Sequence, residues 1–321
     1  MAARSSNRWR SYWRRWRVSE RARVFITSPS MERTRRQSRS RPKIGLVLGG
    51  GGAKGLAHIG VLKVLEEAEI PIDQIVGTSV GAFIGGAYAS GVPIEQMIEM
   101  ARRIRWSDLG RFRPSRLGLR DGRRMEAFIR AHFPVTRFEE LRIPLAVVAT
   151  EIATGQLRVF TTGDLAFAIR ASCAIPGYFT PVFDADGRML VDGAVVANLP
   201  TLVAVTLGAE RVIAVDVNAY PIMETPPRNA FQIYTQALAI LSFTAQSYMA
   251  EHADVLISPD VAAFSWDELE RADELIRAGE EAARKRVPDC QALLRRKREG
   301  FFRRLRQALL IARHRAVPLR R

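Results

Sequence analysis

The chain is 321 residues long, 47% apolar, with two cysteines and a formal charge of +16. That length and composition give room for one large or two ordinary globular domains, and two widely separated cysteines exclude a disulfide-built scaffold. The charge sits at the ends: residues 1–43 and 284–321 each carry 14 Lys+Arg against 2 acidic residues, which leaves the body between them at −8. Basic tails of this kind suit an anionic membrane surface or nucleic acid, but nothing in the body has the pattern of a nucleic-acid reader. No stretch reaches roughly 18 uninterrupted apolar residues, so no transmembrane helix is expected. The N-terminus also lacks the apolar core of a signal peptide. The expected location is cytoplasmic, with a peripheral position on the inner face of the cell membrane if the tails bind lipid.

Residues 1–43 are dominated by Arg and Ser. Trp9, Trp13 and Trp16 fall on one helical face among arginines, which leaves two readings open: a helix lying on a membrane surface, or a disordered tail. The folded body spans 44–290. Ile44–Leu48 reads as a buried strand. A glycine run, Gly49 to Gly55, follows, and then an amphipathic helix to about Glu69 with Leu56, Ile59, Leu62 and Leu65 on its apolar face. Ile72–Val76 is the next strand, so the body opens with a βαβ unit and a parallel crossover.

The second strand runs into Gly77-Thr78-Ser79-Val80-Gly81, and an Ala- and Gly-rich helix follows. A serine at a strand-to-helix turn sits on a strained bend, and flanking glycines let neighbouring backbone approach. The helix N-terminus favours negative charge developing beside it. Ser79 is therefore a candidate nucleophile, with Gly77 and Gly81 as the elbow glycines.

The glycine run has three readings. Gly50-x-Gly52-x-x-Gly55 matches the dinucleotide fingerprint, with Asp73 as a candidate ribose ligand. A Walker A reading fails, because Lys54 is followed by Gly55 rather than Ser or Thr. The third reading is an oxyanion hole made by the amides of Gly50, Gly51 and Gly52 at a helix N-terminus. It gives both glycine motifs one task and is preferred. His58 reads as a packed or surface histidine rather than a general base. His58, His132, His252 and His314 form no metal-ligand cluster, and neither a metal nor an organic cofactor is expected.

Further along, Pro93 opens a helix to about Arg103, and the basic stretch Arg102 to Arg120 reads as a surface loop. Asp121 caps a helix ending near Pro134. Ile143–Thr150 is a buried strand returning through Leu157–Phe160 as an antiparallel hairpin. Asp164 caps a helix through Ser172. Asp186-Gly187 marks another hairpin turn, and its returning strand delivers Asp192 to a turn at Gly193-Ala194. A carboxylate there can accept a proton from a serine, provided burial raises its proton affinity. Arg211–Val217 and Asp254–Ile257 read as strands, 230–252 as a long helix and 267–286 as a charged amphipathic helix. In the basic tail, 291–321, residues 301–316 form an amphipathic pattern with Phe302, Leu305, Leu309 and Ala312 on one face. It is open to packing on the body or lying on a membrane.

Gly50–Gly55 with its helix, Gly77–Gly81, the run Ala171–Gly177 and Asp192-Gly193-Ala194 occur in an order that resembles the patatin-like phospholipases, in particular the bacterial group related to the patatin domain of neuropathy target esterase. The resemblance covers about 44–290. It implies a three-layer α/β/α fold with a mainly parallel central sheet and hydrolysis of lipid acyl esters. Ser79 would be the nucleophile, Asp192 the proton acceptor, and the backbone of Gly50, Gly51 and Gly52 the oxyanion hole. The expected partner is a lipid or other acyl ester, with an anionic membrane surface reached through the tails and no nucleic acid. The alternatives are a catalytically weak, membrane-associated regulator and a nucleotide-binding oxidoreductase.

Overall fold

The structure, a computed structural model, describes residues 41–218 and 226–295. The tryptophan face at Trp9, Trp13 and Trp16 and the amphipathic pattern at 301–316 lie outside the described residues. In chain order the elements are β1 (Ile44–Leu48), α1 (Ala57–Glu67), β2 (Gln74–Thr78), α2 (Val80–Ser90), α3 (Ile94–Arg103), α4 (Trp106–Leu109), β3 (Arg111–Ser115), β4 (Gly118–Asp121) and α5 (Arg123–His132). They continue with β5 (Leu145–Glu151), β6 (Gln156–Phe160), α6 (Leu165–Ser172), β7 (Gly177–Phe179), β8 (Val182–Phe183), β9 (Met189–Asp192), α7 (Ala194–Ala197) and α8 (Thr201–Thr206). The last are β10 (Arg211–Val215), α9 (Ala230–Ala250), β11 (Val255–Ile257) and α10 (Ala272–Arg295).

The main sheet runs β11-β10-β1-β2-β5-β9-β8, with β6 on the other edge of β5. From β11 to β5 every neighbour is parallel, while β6, β8 and β9 add the antiparallel part. The alternation of β1 explains the layers. Ile44, Leu46 and Leu48 belong to the larger core, built with α1, α2, α3, α5 and α10, whereas Val47 faces the smaller core under α8 and α9. Successive side chains of a strand point to opposite faces, and helices on both faces demand apolar residues at every position. All five residues of β1 are accordingly buried. The expected three-layer α/β/α arrangement with a mainly parallel sheet is what the chain adopts.

Two expectations are corrected. The stretch Arg102 to Arg120 is no loop: α4 is followed by the β3–β4 hairpin, which joins β7 in a separate three-stranded sheet. The helix expected at 267–286 instead runs Ala272–Arg295, straight through Pro288 and past the expected domain boundary at 290. A proline costs a helix one backbone donor and some crowding. Here Cys290 and Leu293, beyond it, are buried, so packing on the body outweighs the break.

α1 and α10 meet through glycines. A methyl at Gly60 would lie 2.0 Å from the Ile276 carbonyl oxygen, and one at Gly279 would lie 1.9 Å from that of Ala57. In an open helix Gly→Ala gains about 0.5–1 kcal/mol. Forcing a methyl into this contact costs about 1–3 kcal/mol. Gly279→Ala should therefore lower the urea midpoint of unfolding, and a raised midpoint would mean the two helices have room to spare.

Candidate active site

Ser79 lies between β2 and α2 with φ 54° and ψ −124°, one of two described non-glycine residues at positive φ. Such a conformation costs on the order of 1–3 kcal/mol and persists only where its surroundings enforce it. The surroundings here are specific. The carbonyl of Ser79 accepts from the amides of Ala82 and Phe83, at 2.9 and 3.0 Å, and so starts α2. Its own amide donates 2.8 Å to the buried Ser172 Oγ, which in turn donates 2.6 Å to the Val148 carbonyl. Gly77 and Gly81 make the bend sterically feasible. A Cβ on Gly77 would meet the Ala82 backbone at 2.6 Å, and one on Gly81 would meet the Leu48 carbonyl oxygen at 2.1 Å.

The sheet brings Asp192 to this serine. One edge of β5 is paired with β6 from Val147 to Glu151; the other is shared. Its first half pairs with β2, ending at Thr78↔Val148, and its second half pairs with β9, ending at Ala149↔Asp192. β2 and β9 therefore abut end to end along β5, and the residue after Thr78 meets the last residue of β9. Ser79 Oγ donates to Asp192 Oδ2 at 2.6 Å, while Asp192 Oδ1 accepts from the Ala194 amide at 2.8 Å. Gly193 is required for the turn, since a Cβ would lie 2.3 Å from the Val148 carbonyl oxygen.

Burial pushes the Asp192 carboxyl up to about 6, against the opposing pull of the hydrogen bonds from Ser79 and Ala194. Burial and the neighbouring Asp192 charge push the Cys173 thiol up. His58 is fully buried, with Nε2 2.8 Å from the Gly49 carbonyl oxygen, and burial lowers it to about 4. It is thus a neutral ring donating to the glycine loop rather than a base.

That loop is held from several sides. The amide of Gly49 donates to Val215 and that of Gly50 to the Asn198 carbonyl at 3.2 Å. The Gly50 carbonyl accepts from Asn218 Nδ2 at 2.7 Å. Asn198 also donates to the buried Gln246, whose Nε2 donates 2.5 Å to Asp216 Oδ1, and Asp216 accepts from the Asn218 amide at 2.8 Å. The amide of Gly50 is therefore engaged, which takes it out of the three candidate oxyanion donors. Those of Gly51 and Gly52 have no acceptor among the described residues. Gly52 needs its glycine: its φ is +59° and a Cβ would lie 2.4 Å from the Trp266 carbonyl oxygen. Gly55 packs so closely that a Cβ would meet Val80 Cγ1 at 2.1 Å, which ties the loop helix to the helix behind Ser79.

The dinucleotide alternative finds no support in this geometry. Asp73 lies at the start of β2, opposite the glycine-loop end of the sheet, and its carboxylate is bonded to Arg41 and the Ile44 amide, both at 2.7 Å. Among the described residues no group of three or more His, Cys, Asp or Glu has metal-binding proximity, and no helix is long and apolar enough to cross a membrane.

Beside Ser79 opens a cavity of about 80 Å³, narrower than most small-molecule sites. Ser79 and Gly52 stand at its polar end, and α2 (Phe83, Ile84, Ala87) and α3 (Met97, Met100) give it apolar walls. Sequence reasoning missed Ser172 and the Asn198–Gln246–Asp216–Asn218 network. The run Ala171–Gly177 and the strand end at Asp216 were visible, but not what their side chains hold.

An α/β domain with a strained serine at a strand end and a carboxylate bonded to it belongs to a narrow class. Residues 46–205 match the family model described as patatin-like phospholipase. The chain belongs to the patatin-like phospholipase family. It is 39% identical over 183 residues to patatin-like phospholipase domain-containing protein 6 of Mus musculus, covering 55% of this chain and 14% of that one. It is 39% identical over 191 residues to lysophospholipase NTE1 of Mycosarcoma maydis, covering 58% and 10% respectively. The match thus spans about one seventh or less of these relatives' length. A solved structure, VipD from Legionella pneumophila, is similar at 12% identity and a TM-score of 0.46, over 78% of this chain and 67% of that one.

The raised carboxyl of Asp192 has a consequence for stability. Its value in the fold, about 6, exceeds the ordinary 3.8, so the native state holds that proton more tightly than the unfolded chain. The resulting stabilisation is complete below pH 3.8 and is lost as pH rises through about 6, on the order of 3 kcal/mol in all. Asp192→Asn removes the dependence. In urea unfolding, the stability of the variant relative to the native sequence should improve between pH 4 and pH 8. An unchanged difference would mean that Asp192 is not held in a protonation-favouring site.

Proposed function

We propose that the domain is a serine acyl-ester hydrolase acting on lipids. The observation that carries this reading is the 2.6 Å hydrogen bond from Ser79 Oγ to Asp192 Oδ2 at the polar end of an apolar cavity. Ser79 Oγ attacks the ester carbonyl as Asp192 takes its proton. The negative charge gathers on the former carbonyl oxygen, beside the free amides of Gly51 and Gly52. One such donor is typically worth ~3 kcal/mol of barrier. The C–O bond to the alcohol breaks, and the alcohol leaves with the proton from Asp192. Water then attacks acyl-Ser79, giving its proton to Asp192. The fatty acid departs as Ser79 Oγ recovers that proton. A carboxylate at its ordinary value is a poor base for a hydroxyl; burial of Asp192 brings the two groups closer in proton affinity. The reading requires no metal or organic cofactor.

The apolar walls of the cavity suit an acyl chain. Ser79 stands at the start of α2 and Ala87 eight residues on, ~12 Å along a helix rising 1.5 Å per residue. The basic tails, which lie mostly outside the described residues, fit an anionic bilayer by charge, an attraction that salt screens. The printed name of the Mycosarcoma maydis relative, a lysophospholipase, favours a lysophospholipid among the candidate substrates.

Ser79→Ala and Asp192→Asn should each lower kcat/KM on a soluble short-chain ester by about a thousandfold or more. In the native sequence, activity should fall as pH drops through about 6, because Asp192 must be ionised to take the proton. Full activity in Ser79→Ala would refute the nucleophile assignment, and an active, pH-independent enzyme between pH 4 and 8 would refute the base.

Cavity depth should set chain preference. Each methylene that fits contributes ~0.8 kcal/mol, or about fourfold. In an ester series from acetyl upward, kcat/KM should climb and then level off, and Ala87→Leu should move the maximum to shorter chains. A maximum that stays put would place the acyl chain elsewhere.

A further inference from the structure

We infer that the β3–β4 hairpin is a lipid-docking element that seats the cavity mouth on an anionic bilayer. The inference rests on the hydrolase reading for its purpose, not for its geometry.

The hairpin presents an unusual surface. Phe112, Leu117 and Leu119 are 65%, 49% and 47% exposed, and β3 is exposed along its whole length. Arginines stand at 111, 113, 116 and 120, and no acidic residue occurs from 111 to 120. This ribbon carries four arginines within a body whose net charge, ribbon included, is −8. Large apolar side chains interleaved with arginine fit the boundary between headgroups and acyl chains. Apolar groups enter the boundary while guanidinium groups stay at the phosphates.

A two-stranded ribbon has little stability of its own, yet this one is braced along β4. β4 pairs with β7 through Gly118↔Gly177 and Arg120↔Phe179. Arg120 donates 3.1 Å to the Gly110 carbonyl and lies over the Tyr178 ring at 5.5 Å. The hairpin is thus fixed on β7 with Phe112, Leu117 and Leu119 left exposed. A peptide strand adding to its free edge is the poorer explanation, because β3 carries Pro114 and arginines, which blunt an edge.

Position links the hairpin to the site. Leu109, two residues before β3, and Phe179, the partner of Arg120, both line the cavity beside Ser79. A bilayer touching the hairpin would lie against the wall through which an acyl chain enters.

Cys173 and Cys290, the two cysteines of the chain, are buried, so an introduced surface thiol can be labelled selectively. The full chain carrying Leu119→Cys would be labelled with nitrobenzoxadiazole and mixed with vesicles of phosphatidylcholine, or of equimolar phosphatidylcholine and phosphatidylglycerol. The control is Thr206→Cys, an exposed position just before the N-terminal end of β10, across the sheet from Ser79. With the anionic vesicles the label at 119 should shift to the blue and be quenched by nitroxide-bearing lipid, whereas the label at 206 should not respond. A label at 119 that stays aqueous while the protein co-sediments with vesicles would overturn the inference and leave binding to the tails. A label already shielded without vesicles would also overturn it, showing the hairpin covered by this chain or a second copy.

The combined variant Phe112→Ser, Leu117→Ser and Leu119→Ser should hydrolyse anionic vesicles about tenfold more slowly while keeping its rate on a soluble short-chain ester. Equal rates on vesicles would count against docking. If the native sequence cleaves neither substrate, the hydrolase reading fails, and the label at 119 still decides the docking question.

Discussion

The site depends on one strained residue. Ser79 occupies a backbone region that a side chain enters at a cost. The strain is balanced by the sheet: Gly81 seated on Leu48, Gly77 on α2, and the Ser79 amide bonded to Ser172 on another helix. Ser172 is fixed in turn by Val148 on β5, the strand against which both β2 and β9 pair. The position of Ser79 and that of Asp192 are therefore set by the same strand. Loosening β9 alone would separate the pair.

The glycine loop follows a complementary logic. Glycine backbone is free to turn its amides anywhere, and that freedom would defeat a preorganised donor site. The fold removes it by binding carbonyls: His58 takes that of Gly49, Asn218 that of Gly50, and Asn198 receives the Gly50 amide on its own carbonyl. Once those groups are fixed, the next two amides have little freedom left. The polar network from Asn198 to Asp216 is buried and its members are bonded to one another, with the buried Asn198 Oδ1 left unpaired among the described residues. It holds the loop without adding a charged group to the cavity wall.

How much of this could be read in the sequence follows from how local each signal is. Gly77–Gly81 and Gly49–Gly55 were legible because steric demands on a turn are met by residues adjacent in the chain. Asp192 was legible only through a hairpin signal six residues before it and through the resemblance, since no spacing connects positions 79 and 192. Ser172, Gln246 and Asn218 were not legible as site residues. Each acts through a side-chain bond to distant backbone or to another side chain, and the pattern around it reads only as a helix or strand end. The hairpin at 111–121 looked like a loop because its strands are short and arginine-rich and contain Pro114, which local propensity counts against a strand. Pairing with β7 decides it. The helix through Pro288 was misjudged for the same reason in reverse, with buried Cys290 and Leu293 overriding a local breaker.

Burial of Asp192 couples stability to the proposed chemistry. A carboxylate left in water would be ionised and a weak base. One removed from water costs folding free energy wherever it is ionised, and that same penalty is what raises its proton affinity. The two hydrogen bonds to Asp192 moderate the effect. The Ala194 amide stabilises the charged form permanently, but the Ser79 hydroxyl does so only until its proton is transferred. In the proposed step, the donor that favoured the charged carboxylate would become the attacking oxygen, and the carboxyl would be left neutral in a place where neutrality is preferred. The apolar cavity beside Ser79 suits the other partner of that proposed exchange, because its walls offer an acyl chain surroundings like its own.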